Sequence, residues 1–306
     1  MTRASGRLRT EWRDLFELVL LPGLAALLPW SLGFRLVRLA ARTLRPFAPA
    51  VQAALQQAQD RGWAGDTRHW SLVRTIVTLV DHADLYLART RSDAWMAHHL
   101  EVTGTWPAAG QAGLICTFHW GAGMWGLRHA RASGLTAHAL VAPLEGDHFK
   151  RRRVLQHYAR VRTAEVARSL GCPTLDISAS LKPALQALRR GEQVVAAIDV
   201  PADQVSASET IDLLGQPARV PRGLLRLAVD QALPVTVYLT GLRVADGRRT
   251  LAIHRLGVYE ELQPLMKDVF ALLEQAIRDD PPAWHFWAEA PRIFESPGQR
   301  EGPAGP

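Results

Sequence analysis

The feature that most restricts the fold is a short apolar run that ends on a histidine and passes through glycines into a helical pattern. It occupies residues 113–125 (GLICTFHWGAGMW). The part before the histidine has the length of a buried strand, and the part after the glycines has helical spacing. The pattern predicts a strand, a turn and a helix, with His119 at the turn. The first N–H groups of the helix are free of intrahelical partners there, so a base and oxyanion donors can meet at one point.

Strand and helix patterns alternate from residue 113 onward. This alternation favours an α/β fold with a mostly parallel central sheet flanked by helices, and 306 residues are enough for one large domain. We predict an α/β domain over 46–295 and a disordered tail, rich in Gly and Pro, over 296–306. The predicted strands are 113–118, 136–142, 194–198 and 234–239, and the predicted helices are 47–61, 70–91, 180–190, 222–231 and 264–278.

Residues 1–45 form an apolar and basic region that we expect to associate with a membrane. The first 50 residues contain eight arginines and three acidic residues. Residues 15–34 are long enough to span a bilayer, but Glu17, Pro22 and Pro29 interrupt them, so the stretch is better interpreted as two short apolar pieces. The arginines that follow at helical spacing, which are typical of a helix lying on an anionic surface but equally of a solvated helix face, are Arg35, Arg38, Arg42 and Arg45.

Five segments, in order, resemble the lysophospholipid acyltransferase superfamily, in particular the bacterial lipid A biosynthesis (lauroyl/myristoyl) acyltransferase branch. They are the histidine block at 113–125, the strand ending on Asp199, the stretch 212–223 (DLLGQPARVPRG), the segment 227–235 and the Trp-rich element 280–287 (DPPAWHFW). The resemblance covers nearly the whole chain. It departs from the family at Met124, where the family has Asp or Glu five residues after the histidine, and a thioether cannot orient an imidazole as a carboxylate does.

The resemblance implies transfer of a fatty acyl group from acyl carrier protein or coenzyme A to a glycolipid or lysolipid-like acceptor. His119 is the expected general base, with Asp199 as a compensating carboxylate or a loop cap. Glu145 and Asp147 are weaker alternatives for that carboxylate. No cofactor, metal or nucleic-acid partner is expected, because the acyl thioester is a co-substrate. The residues expected to contact substrate, through backbone N–H groups or guanidinium groups, are Gly121, Gly123, Arg151, Arg152, Arg153, Arg222 and Gly223.

Two other interpretations stay open. Without its acidic partner, the chain can be an acyltransferase-like protein that binds lipid but does not transfer it, and a soluble thioesterase-like hydrolase is a third possibility. Two cysteines, Cys116 and Cys172, cannot build a disulfide framework, which favours a reducing compartment. A reducing compartment and a basic N-terminus together predict a position on the cytoplasmic face of the inner membrane. A carboxylate within hydrogen-bonding distance of His119 Nδ1 favours acyl transfer, whereas an imidazole packed only by apolar atoms favours lipid binding without transfer.

Overall fold

The computed structural model describes residues 2–141, 149, 152–176 and 180–295. In this part of the chain the strands are β1 (Leu100–Thr103), β2 (Gly113–Thr117), β3 (Ala137–Val141), β4 (Leu175–Asp176), β5 (Gln193–Ala197), β6 (Ser208–Leu213), β7 (Gln216–Pro221), β8 (Val235–Arg243) and β9 (Arg248–Gly257). Seven of them form one sheet in the order β1-β9-β8-β2-β5-β3-β4, and β6 pairs with β7 in a separate antiparallel hairpin. Every neighbouring pair in the large sheet is parallel except β8 and β9. The predicted α/β fold with a mostly parallel sheet is therefore confirmed.

Helices cover both faces of this sheet. They are α1 (Thr2–Leu15), α2 (Leu21–Leu27), α3 (Trp30–Thr43), α4 (Ala48–Asp60), α5 (Thr67–Thr90), α6 (Asp93–His98), α7 (Met124–Ala132), α8 (Arg153–Leu170), α9 (Lys182–Arg189), α10 (Gly223–Asp230), α11 (Leu262–Asp279) and α12 (Ala290–Ile293). A π-helical segment, Phe16–Leu20, joins α1 to α2, and short 3-10 segments include Pro281–Ala283 and His285–Glu289.

The sheet separates two hydrophobic cores because successive side chains of a strand point to opposite faces. In β2, Leu114 and Cys116 belong to one core and Ile115 to the other. The first core also holds residues of α4, α10 and α11, among them Leu55, Leu225 and Val269. The second holds residues of α2, α3, α5 and α7, among them Leu21, Phe34, Val77 and Leu127.

The region 15–34 divides as predicted into separate pieces, because Pro29 cannot continue a helix. Leu28 is extended, with ψ 159°, and α3 begins after Pro29. Within the described residues, every helix is too short or too polar to cross a bilayer.

The helices before residue 45 pack against the rest of the domain. Residues of α2 and α3 share a core with Ile115 of the central strand. The indole N–H of Trp30 donates to the Gly247 carbonyl oxygen at 2.9 Å. Arg249, fully buried and paired with Asp84, lies 4.1 Å from the centre of the Trp30 ring. The N-terminal helices are therefore part of the α/β domain, and their removal would expose one of its cores.

Candidate active site

The register of two neighbouring strands brings His119 and Asp199 together. In the parallel pair β2 and β5, Thr117 lies opposite Ala197, and the Ile198 N–H extends the ladder by donating to the Thr117 carbonyl oxygen at 3.0 Å. His119 and Asp199 each follow two residues after those positions. They therefore leave the sheet side by side at its carboxyl edge, the edge at which ligands bind in open α/β sheets.

The Asp199 carboxylate accepts hydrogen bonds from three N–H groups. Nδ1 of His119 lies 2.8 Å from Oδ1, and the His119 backbone N–H donates to Oδ2 at 2.9 Å. The indole N–H of Trp284 donates to Oδ2, also at 2.9 Å. Asp199 is only 2% exposed, whereas the His119 side chain is 37% exposed. Because the carboxylate requires a donor at Nδ1, the imidazole presents the lone pair of Nε2, which is the arrangement a general base needs.

The segment that follows α11 fixes the imidazole from its other side. The ring of Phe286 stacks on that of His119 with centroids 4.0 Å apart and an interplanar angle of 18°. The backbone N–H of His285 donates to the His119 carbonyl oxygen at 2.8 Å, and His285 Nε2 lies 2.8 Å from the Gly121 carbonyl oxygen. Burial lowers the pKa of His285 to about 4, so this imidazole is neutral at pH 7. Its Nε2–H can then donate to Gly121.

A buried arginine of α5 holds this segment in place. The Arg74 guanidinium donates to the carbonyl oxygens of Pro282, Trp284 and His285 at 3.1, 2.7 and 2.9 Å. Burial lowers the Arg74 pKa to about 10, so the group stays cationic at neutral pH. Arg74 therefore orients Trp284, which in turn donates to Asp199.

Gly121 lies in a tight turn where only glycine fits. Its φ is +54°, and a Cβ atom would lie 2.1 Å from the Thr240 carbonyl oxygen. Its N–H donates to the Ala283 carbonyl oxygen at 3.2 Å. The expectation that the Gly121 N–H faces substrate is therefore corrected, because this N–H is already bonded and the glycine serves the turn.

The free N–H groups lie slightly further along the chain, at the start of α7. Gly123 occupies the N-cap position, and no side chain caps this helix. Within the described residues, neither the Gly123 N–H nor the Met124 N–H has an acceptor. The positive end of the helix dipole adds to these donors, so an anion in this place would be stabilised.

Met124, at the position where the superfamily that the sequence resembles has an acidic residue, is a core residue in this chain. It is 3% exposed and belongs to the same hydrophobic cluster as Trp125 and Tyr238. The carboxylate that contacts His119 Nδ1 comes instead from Asp199, at the end of β5. The carboxylate that orients His119 therefore lies far from Met124 along the chain.

Arg152, one of the three consecutive arginines expected to contact substrate, is paired with an acidic residue of α1. Arg152 donates to both carboxylate oxygens of Asp14, at 2.9 and 2.6 Å, and Asp14 is 2% exposed. This pair joins the start of α8 to α1. The expectation that the Arg152 guanidinium holds a substrate phosphate is therefore corrected, because the group is already bound to Asp14. The Arg153 side chain is exposed, and its backbone N–H donates to Glu11. Arg151 lies outside the described residues, as do Glu145 and Asp147.

Arg222 and Gly223 lie at the start of α10. Nη1 of Arg222 donates to Glu209 Oε2 at 3.2 Å, and the Arg222 side chain is 47% exposed. A Cβ atom at Gly223 would meet no atom within 4 Å. These contacts join Arg222 to the β6–β7 hairpin rather than to Asp199, and nothing around Gly223 requires a glycine.

Sequence reasoning assigned no role to Trp284, Phe286 or Arg74. The Trp-rich element was recognised as a block, but its contact with Asp199 depends on the tertiary structure. The position of Arg74 could have been noticed in the sequence, because it lies one helical turn after Trp70 and next to Val73, in a part of the helix that is otherwise apolar. A charged residue on such a face requires a buried partner.

No protein-family model matches this sequence, and a search of curated proteins found none significantly similar to it. Among the described residues, no group of three or more His, Cys, Asp or Glu side chains is arranged to hold a metal ion.

Proposed function

We propose that this protein is a membrane-associated acyltransferase. It moves a fatty acyl group from acyl carrier protein or coenzyme A to a hydroxyl or amine of a glycolipid or lysolipid-like acceptor, at the cytoplasmic face of the inner membrane. The observation that carries the proposal is the Asp199 carboxylate 2.8 Å from His119 Nδ1, next to a helix start with free N–H groups.

In the proposed reaction, His119 Nε2 takes the proton of the acceptor hydroxyl as that oxygen attacks the thioester carbonyl carbon. The charge on the resulting tetrahedral oxyanion is stabilised by the N–H groups of Gly123 and Met124. When the intermediate collapses, the carbon–sulfur bond breaks and the thiolate takes the proton from Nε2. Asp199 stabilises the imidazolium that exists between these two steps, and the protein forms no covalent intermediate.

Exposed apolar side chains on the N-terminal helices support the membrane part of the proposal. Trp12 is 65% exposed and Leu27 is 72% exposed, although both are large apolar residues. The exposed large apolar residues on the continuous helical stretch from α1 to α2 recur every three or four positions and so share one face; they are Leu8, Trp12, Phe16, Leu20, Leu24 and Leu27. An apolar stripe bordered by arginines is typical of a helix lying in the headgroup region of a bilayer.

The buried Asp199 favours catalysis over lipid binding alone, because it gives His119 the orienting carboxylate that Met124 does not. The test is incubation of the purified protein with radiolabelled acyl thioester, on carrier protein or on coenzyme A, and total membrane lipid. Labelled lipid product supports the proposal. Release of free fatty acid without lipid product supports a hydrolase instead, and lipid binding with neither product supports a binding protein.

A further inference from the structure

A cleft separate from the His119 site lies between α3, α4 and the first half of α5. Its volume is about 730 Å³, which is within the usual range of ligand-binding pockets. One wall is apolar and includes Val51, Leu55 and Leu72. Neither His119 nor Asp199 lines it. The cleft is therefore separate from the proposed reacting groups.

Three arginines line the same cleft, namely Arg42, Arg45 and Arg68. All three are exposed, and within the described part of the chain none of their guanidinium groups has an acidic partner. No acidic residue lines the cleft. The nearby Asp66 is the N-cap of α5, where it accepts from the backbone N–H groups of Arg68 and His69. The cleft is thus strongly cationic, and guanidinium groups suit phosphate through paired hydrogen bonds.

The surroundings of the cleft point to a membrane as the source of its occupant. Leu39 and Leu44, 58% and 59% exposed, lie beside Arg42 and Arg45 in sequence. Like the exposed leucines of α1 and α2, they are large apolar side chains in contact with solvent. A lipid drawn from the bilayer can place its headgroup among the arginines and a chain along the apolar wall, whereas a free phosphate would leave that wall bare.

We propose that this cleft binds the phosphate-bearing headgroup of an anionic membrane lipid, with Arg42, Arg45 and Arg68 as the phosphate ligands. The source of the lipid rests on the proposed membrane contact, but the binding itself does not depend on acyl transfer. The site either presents the acceptor lipid or holds a separate lipid beside the enzyme.

The test uses the full-length protein and monomeric dihexanoyl phosphatidic acid, with dihexanoyl phosphatidylcholine as the comparison lipid and calorimetry as the readout. We expect saturable binding of phosphatidic acid and roughly tenfold weaker binding of phosphatidylcholine, because the choline group masks the phosphate charge. Inorganic phosphate should bind at least roughly tenfold more weakly than phosphatidic acid, because it makes no apolar contact.

A matched pair of double variants, within α3 and in the turn that follows it, locates the site. The variant R42Q/R45Q should lose roughly tenfold or more in affinity for phosphatidic acid. The control R35Q/R38Q removes the same number of charges from α3 at positions outside the cleft, and should bind within about twofold of the wild type. If R42Q/R45Q does not fold, R68Q on α5 gives an independent measurement of the same site.

Equal losses in the two double variants would show that binding is diffuse electrostatic attraction and would overturn the proposal. Equal binding of the two lipids, or of inorganic phosphate and phosphatidic acid, would also overturn it. Failure of the wild type to sediment with vesicles while short-chain phosphatidic acid still binds would contradict the membrane contact and leave the cleft assignment standing. Loss of lipid transfer in H119A with unchanged phosphatidic acid binding would separate the two sites.

Discussion

Replacing Asp199 by Asn tests how the site works, because the change keeps the shape of the side chain and removes its charge. The carboxylate accepts from His119 Nδ1, from the His119 backbone N–H and from the indole of Trp284. An amide offers one oxygen, and its NH₂ group must face at least one of these donors. The substitution therefore leaves a buried N–H without an acceptor and weakens the preference for the tautomer that presents Nε2.

Two magnitudes follow from these contacts. A buried unsatisfied donor costs about 1–3 kcal/mol in the free energy of unfolding, so the variant should fold but melt a few degrees lower. Loss of a correctly oriented general base lowers turnover by roughly 10²- to 10⁴-fold. The control Asp230→Asn removes a charge from an exposed ion pair with Arg226, and should change neither quantity noticeably.

The assay is the initial rate of labelled lipid formation, measured for the wild type, D199N, H119A and the double variant. If Asp199 acts only through His119, D199N should have almost no further effect in the H119A background. Equal rate losses from D199N in both backgrounds would show that Asp199 acts independently of the imidazole. A D199N rate within about threefold of the wild type would refute the dyad altogether.

Three further predictions concern the surroundings of the site. Met124→Glu should lower the melting temperature by about 10 °C or more, since it buries an unpaired carboxylate, whereas Met124→Leu should change it little; an unchanged melt for the Glu variant would contradict the core assignment. Trp284→Phe removes a donor to Asp199 and should lower turnover roughly tenfold with little change in KM, which steady-state kinetics would check. Burial lowers the pKa of His82 to about 3 and that of His285 to about 4, so both are neutral in the folded protein. On acidification the unfolded chain takes up these protons at a higher pH than the folded protein does. The contribution of the two histidines to the free energy of unfolding is therefore fully present above pH 6.5 and should fall by roughly 1 kcal/mol per pH unit per histidine as the pH drops towards 4. Denaturant titrations that show no such slope between pH 6.5 and 4 would contradict this prediction.

The sequence predicted the parts of the fold whose apolar pattern is local. The runs that became β2, β3, β5 and β8 were recognisable because each is short and strongly apolar. Strand β9 was not predicted. Its inward positions are Arg249, Leu251 and Ile253, and an arginine at the first of them obscures the alternation. Arg249 is paired in the core with Asp84, and no local pattern reveals that partner.

In the candidate site, too, the sequence predicted local features but not contacts between distant parts of the chain. His119 and Asp199 were both identifiable as residues at strand ends, and their contact follows from the register of two neighbouring parallel strands. Trp284 is 85 residues from Asp199 along the chain, and Arg74 is 210 residues from Trp284. Contacts over such separations depend on packing. The expected phosphate role of Arg152 failed for a similar reason, because its partner Asp14 belongs to a distant helix.

The most direct test of the account is the rate of lipid acylation by His119→Ala, measured with a thermal melt of the same sample. The His119 side chain is 37% exposed, and without it Asp199 keeps two of its three donors, so the variant should stay folded and melt a few degrees below the wild type. We predict that its turnover falls by roughly 10²- to 10⁴-fold and that added imidazole restores part of it. A folded variant that still acylates lipid at the wild-type rate would contradict the assignment of His119 as the general base.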